Sequence, residues 1–174
     1  MKKPIVINLF AGPGSGKSTT AAGVFNQLKL LGVNCEMALE YAKDKVWEKS
    51  YHTLDNQIYV FGKQLHKIWR LKDEVDVIIT DSPLPFSIYY DKEKSESFKS
   101  LVLEQFNKFN NINYFIIRNA SYNPKGRMQT VDEAIEIDKE IINILTENDI
   151  PFCLISKDEA TNIIVKEIRK ILEI

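Results

Sequence analysis

The run Ala11-Gly12-Pro13-Gly14-Ser15-Gly16-Lys17-Ser18 constrains this chain more than any other stretch. A nearly continuous apolar segment, Ile5 to Phe10, leads into it, and an amphipathic segment, Lys17 to Leu31, leads out. Glycines at alternating positions allow a loop whose amides turn inward around an anion. A helix starting at Lys17 would point its positive end at the same place. The full pattern asks for Gly, four residues and then Gly-Lys-Ser/Thr, and here Ala11 stands at the first glycine. That exchange is tolerable if the backbone there is not left-handed. The expected chemistry is polyphosphate binding by Gly12, Pro13, Gly14, Ser15, Gly16, Lys17, Ser18 and Thr19. In this motif the lysine reaches the β- and γ-phosphates and the Ser18 hydroxyl meets Mg²⁺.

The rest of the chain alternates apolar runs with helical periodicity, the signature of an α/β fold with a parallel sheet. Strands are expected at 5–10, 34–39, 75–80, 114–117 and 152–155, and helices at 17–31, 54–71, 131–147 and 160–172, with another through Phe98, Leu101, Val102, Phe106 and Phe109. Five strands with intervening helices fit a three-layer sandwich occupying residues 1–174 as a single domain. Gly32 is placed to end the first helix, and Pro83 and Pro85 to stop the third strand. At 174 residues, 44% hydrophobic and 27% charged, the chain has the composition of a globular domain and not of a disordered one. Its net charge of -1 excludes a polybasic binder, so nucleic acid is permitted as a partner but not indicated. No segment approaches the roughly 18 apolar residues of a membrane helix. Two cysteines cannot build a disulfide framework, and a cytoplasmic protein is expected.

Asp81 ends the apolar run Val75-Asp76-Val77-Ile78-Ile79-Thr80. A carboxylate at the carboxyl end of a parallel strand points into the crevice where such sheets bind ligands. It would hold the metal through water or act as base; alternatively it caps the turn through Ser82-Pro83. Glu40 ends the second strand in the same way. It would accept a hydroxyl proton from a phosphate acceptor, or complement the dipole of a following helix. Arg118 ends the fourth strand, with Lys125 and Arg127 in the Gly/Pro-containing segment after it. Planar guanidinium groups suit a phosphoryl group in transfer, and a cation-bearing segment at about 119–130 suits a lid. His52 and His66 have no metal-ligand spacing, and Gln57 and Gln64 share a face read as solvated.

Four stretches together resemble the small P-loop nucleoside and nucleotide kinases, particularly the ribosylnicotinamide-kinase-like branch. They are 11–19, Glu40-Tyr41-Ala42-Lys43-Asp44, Ile78-Ile79-Thr80-Asp81-Ser82, and Gly126-Arg127 followed by a helix and Ile150-Pro151-Phe152. The resemblance implies a parallel sheet ordered 2-3-1-4-5, ATP with Mg²⁺, and an acceptor pocket between strand two and the helices after it. It also implies a lid and an adenine slot near Ser156-Lys157-Asp158. The sequence departs from that branch at Ala11 and at Ser82-Pro83, where another Thr-Asp pair is usual. The expected activity is transfer of the γ-phosphate of ATP to a nucleoside, nucleotide or nucleobase-bearing acceptor. Lys17, Asp81, Glu40, Arg127 and Arg118 would carry the chemistry, with Ser18 and Asp81 on the metal. A regulatory ATPase switch and a kinase acting on modified bases in DNA are the alternatives.

Overall fold

Residues 3–118 and 130–174 are described by a computed structural model. β1 (Ile5–Phe10) lies at the centre of a five-stranded sheet and is buried along its whole length. Successive strand side chains point to opposite faces, so burial of every residue requires both faces to be covered. β2 (Cys35–Met37), β3 (Val77–Thr80), β4 (Asn110–Ile117) and β5 (Cys153–Ser156) complete it in the order β2-β3-β1-β4-β5. All pairings are parallel, with Ile7 opposite Ile79 on one side and Ile112 on the other.

The helices are α1 (Lys17–Leu30), α2 (Tyr41–Trp47), α3 (Gln57–Trp69), α4 (Phe86–Tyr90), α5 (Glu96–Phe106), α6 (Val131–Glu147) and α7 (Ala160–Leu172). A 3₁₀ turn, Tyr51–Asp55, joins α2 to α3. α1 packs on α7, while α3, α4, α5 and α6 pack on one another, so the sheet lies between two helical layers. α6 starts at a capping box in which Thr130 Oγ1 accepts the Glu133 N–H and Glu133 accepts the Thr130 N–H. Asn8, 1% exposed, belongs in this apolar strand because its amide donates to Asn111 and Asn113 side chains at 2.9 and 3.0 Å.

The sheet order and the main helices follow the sequence expectations, with β2 and β3 shorter and β4 longer than read. Two helices are additional. α2 follows Glu40 directly, and α4 starts after Pro85, a residue whose fixed φ suits a helix start as well as a strand stop. In α3 the buried stripe runs through Val60, Phe61, Gln64 and Ile68, while Ile58 and Trp69 are exposed. The expected lid with Lys125 and Arg127 falls, up to residue 129, outside the described residues.

The contact of α1 with α7 is close at Gly23, where an added Cβ would stand 2.9 Å from Thr161 Oγ1 and 3.1 Å from its Cγ2. Gly→Ala inside a helix usually stabilises by about 1 kcal/mol. Here the sign is expected to reverse, Gly23→Ala lowering stability by about 1 kcal/mol because Thr161 has to move. Adding Thr161→Ala should restore or exceed the original stability, as read from urea unfolding midpoints of the single and double variants.

Candidate phosphate-binding and transfer site

The loop between β1 and α1 takes a shape that two of its glycines alone permit. Gly14 and Gly16 have φ of 84° and 99°, the left-handed region that side chains resist. Ala11 lies outside that region, which is why a methyl group is accepted at the first motif position. Ser15 Oγ donates to the Gly12 carbonyl at 3.1 Å. Lys17 Nζ donates to the carbonyls of Ala11 and Gly12 at 2.7 and 3.0 Å and sits 5.5 Å from the centre of the Phe86 ring. Burial lowers the pKa of its ammonium group, opposed by the nearby charges of Glu40, Asp81 and Asp138.

Because β3 pairs with β1, its carboxyl end brings Asp81 beside the start of α1. Ser18 Oγ donates to Asp81 Oδ2 at 2.6 Å. β2 pairs with β3 on the other side, and the Glu40 N–H donates to Asp81 Oδ1 at 3.1 Å. A hydroxyl and a carboxylate thus meet at the mouth of the phosphate loop. Among the described residues no group of three or more His, Cys, Asp or Glu forms a protein cage for a metal. The Ser18–Asp81 pair fits Mg²⁺, which takes hard oxygens and keeps waters and phosphate oxygens in its shell.

Glu40 precedes α2 but makes no side-chain cap to it. Its carboxyl pKa is raised, first by burial and then by Asp81, with Lys17 acting in the opposite direction. Gln64 fastens this corner, a role its sequence context did not suggest. It is 4% exposed, against the expectation of a solvated face. Its Oε1 accepts the Tyr41 N–H at 2.9 Å, and its Nε2 lies 3.4 Å from the Ala38 carbonyl and 3.5 Å from Thr80 Oγ1. Thr80 Oγ1 donates to Ala38 at 2.8 Å and accepts from the Ser82 N–H at 3.1 Å. The Ala38 carbonyl before Glu40 and the Thr80 side chain before Asp81 are therefore tied to the same buried amide. The available signal was helical spacing alone: Gln64 stands in the stripe of Phe61 and Ile68.

Arg118 is placed differently from the sequence expectation. Its guanidinium turns to Asp138 of α6 and to the carbonyls of Pro13 and Ala134, behind the phosphate loop. From the β5–α7 connection, the stem of Lys157 lies across Gly16, close enough that a Cβ there would be 2.9 Å from its Cε. Beyond α4 a cleft of about 910 Å³ opens between Tyr89, Tyr90 and α6, lined by Asp91, Asp132, Glu133, Glu136 and Glu140 and by Lys92 and Lys94. Its carboxylates outnumber its lysines, which disfavours a polyphosphate there. On the Glu40 side, helices α2 and α3 carry the opposite charge. Between Tyr41 and Arg70 six Lys and Arg face three Asp and Glu. Tyr41 and Tyr59 meet edge to face, with Lys45 and Lys67 over one ring and Lys63 over the other. Trp47 and Tyr51 are exposed nearby in sequence.

A family model described as an AAA domain matches residues 6–161. No curated protein matches the chain. Among solved structures, the crystal structure of NadR protein in complex with NR aligns with a TM-score of 0.72 at 14% identity, covering 96% of this chain and 51% of that one. The chain spans about half the length of that protein, and the likeness at this identity is one of fold. Among the described residues no helix is long and apolar enough to cross a membrane.

A carboxyl with a raised folded pKa still holds its proton where the unfolded chain has lost it. Ionising Glu40 therefore costs stability as pH climbs above the ordinary value of 4.5. Glu40→Gln is expected to raise the melting temperature at about pH 8 and to make little difference near pH 4. Thermal melts across that range check it; a variant less stable than the parent at high pH would contradict the desolvated carboxylate.

Proposed function

The chain belongs to the AAA domain family, matched over residues 6–161, and we propose that it is an ATP-dependent phosphotransferase moving the γ-phosphate of ATP to a nucleoside, nucleotide or nucleobase-bearing acceptor. The observation that carries this is the hydrogen-bonded chain from Ser18 through Asp81 to the backbone of Glu40. It joins the phosphate loop and a metal-type carboxylate to the backbone of a residue whose own carboxylate acts electrostatically on Lys17. A protein that only hydrolyses ATP to signal has no need of an acceptor pocket beside that carboxylate.

In this scheme Lys17 exchanges two neutral carbonyl acceptors for phosphate oxygens, a stronger charge-assisted pairing. Ser18 and Asp81 would hold Mg²⁺, which neutralises charge on the phosphates when bound. Glu40, its pKa raised toward the working range of a general base, accepts the acceptor's hydroxyl proton as its oxygen attacks phosphorus. Arg127, expected in the lid, supplies positive charge to the transferred group. The work is positioning and electrostatics.

One alternative is favoured by a specific observation, an acceptor base carried on a nucleic-acid strand. Lysines interleaved with Tyr41, Trp47, Tyr51 and Tyr59 beside Glu40 are what base stacking and phosphate contact require. This local surplus exists although the net charge is -1. Single-stranded DNA binding that weakens steeply with salt, and loses slope in Lys43→Glu, supports that acceptor; salt-insensitive or absent binding leaves the free nucleoside or nucleotide.

Lys17→Ala is expected to lower ATP turnover by at least about a hundredfold while leaving the melting temperature within a few degrees or raising it, since the ammonium is held at a desolvation cost. ADP release measured with a panel of nucleosides, nucleoside monophosphates and oligonucleotides checks it. Unchanged ATP consumption in the variant refutes the assignment, and hydrolysis stimulated only by a protein favours a regulatory ATPase.

A further inference from the structure

The structure assigns Asp138 and Arg118 to a clamp that shapes the phosphate loop from behind, with Asp138 as a positioning residue for nucleotide binding. The inference rests on the reading of the loop as the nucleotide site and names two residues that act on it without touching phosphate.

Asp138 stands in the stripe of α6 that also holds the buried Ala134, Ile141 and Leu145. Its side chain and that of Arg118 are each only 15% exposed. A carboxylate withdrawn from water to that extent needs donors on both oxygens. Oδ1 accepts the N–H of Gly12. Oδ2 lies 2.6 Å from both Nε and Nη2 of Arg118. The remaining reach of the guanidinium goes to the Pro13 carbonyl from Nη1, 3.1 Å, and to the Ala134 carbonyl from Nη2, 3.0 Å. Two successive residues of the loop, Gly12 through its N–H and Pro13 through its carbonyl, are thus gripped by side chains from α6 and from the end of β4.

The grip is close. A Cβ added to Gly12 would stand 2.7 Å from the Ala134 carbonyl oxygen, 3.0 Å from Asp138 Oδ1 and 3.1 Å from Arg118 Nη2. Gly12 has no left-handed backbone, so closeness of α6 is what excludes a side chain there. The carbonyl of the same Gly12 accepts Lys17 and Ser15. One peptide position therefore links the clamp to the lysine and to the turn of the loop. The pair adds little net field, because each charge cancels the other. Arg118 and Asp138 press on Lys17 in opposite senses. Its contribution is geometric, holding the loop in its anion-binding shape before a nucleotide arrives, which reduces the ordering cost of binding.

Isothermal titration with ADP tests the clamp without any acceptor. Asp138→Ala and Arg118→Ala are each expected to weaken ADP binding by about tenfold or more, and the double variant by no more than about threefold beyond the worse single, since the two act as a unit. Asp138→Asn, which keeps an acceptor for the Gly12 N–H, should recover part of the loss. The maximal rate of ATP turnover should fall less than the affinity does. Unchanged ADP affinity in either folded single variant overturns the clamp. So does a hundredfold loss of rate in Arg118→Ala at unaltered affinity, which returns Arg118 to the transferred phosphoryl group. If the alanine variants do not melt cooperatively, Asp138→Asn and Arg118→Lys carry the same comparison. A parent protein that binds ADP but phosphorylates no acceptor refutes the phosphotransferase and leaves the clamp standing.

Discussion

Asp81 places its carboxyl group where almost no water reaches it, at 2% exposure, and a polar group in that position must be met by hydrogen-bond partners. The donors come from two other connections: the Ser18 hydroxyl at the start of α1 and the Glu40 amide before α2. The sheet order β2-β3-β1 makes this available, since β3 has β1 and β2 as its neighbours and their carboxyl ends lie on either side of it. Ring and amide contacts then stack outward from that point. Phe86 of α4 lies against Phe10 and under Lys17, and Gln64 of α3 holds Tyr41. The loop, both carboxyl groups and the four surrounding helices are fixed with respect to one buried side chain.

α4 divides two electrostatic neighbourhoods. It packs against α3 on one side and α6 on the other. A surplus of Lys and Arg occupies the first side, and the second is a cleft lined by five carboxylates and two lysines. A net charge of -1 hides this division, because the sums cancel over the molecule and not over a ligand's length. A polyanion meets an excess of cations on the Glu40 side and an excess of carboxylates at the cleft.

The phosphate loop was legible because everything it needs is local: an apolar strand, glycines at set spacing and a helix with Lys17 and Ser18 at its start. α6 was legible for the same reason, its seventeen residues giving the period many turns in which to show itself. α2 and α4, of seven and five residues, give barely one or two turns, and Pro83 and Pro85 obscured the second. Gln64 and Asp138 were missed differently. Each is a polar residue in an apolar stripe, and its partners lie at residues 38, 41 and 80, or 12 and 118, at distances along the chain that no period reports. Arg118 shows the converse, a residue type correctly noticed beside the site whose donors the fold directs to protein oxygens.

The same strand order separates the two cysteines, Cys35 on the β2 edge and Cys153 on the β5 edge. Cys35 is buried, and burial pushes its thiol pKa up, whereas Cys153 is exposed. Thiolate chemistry will therefore find one sulfur and pass over the other. The unaltered chain carries a single attachment point for a dye or spin label, four residues before the Lys157 stem that crosses Gly16. A reporter of movement at the phosphate loop is already present, on an edge strand and outside the residues that would do the chemistry.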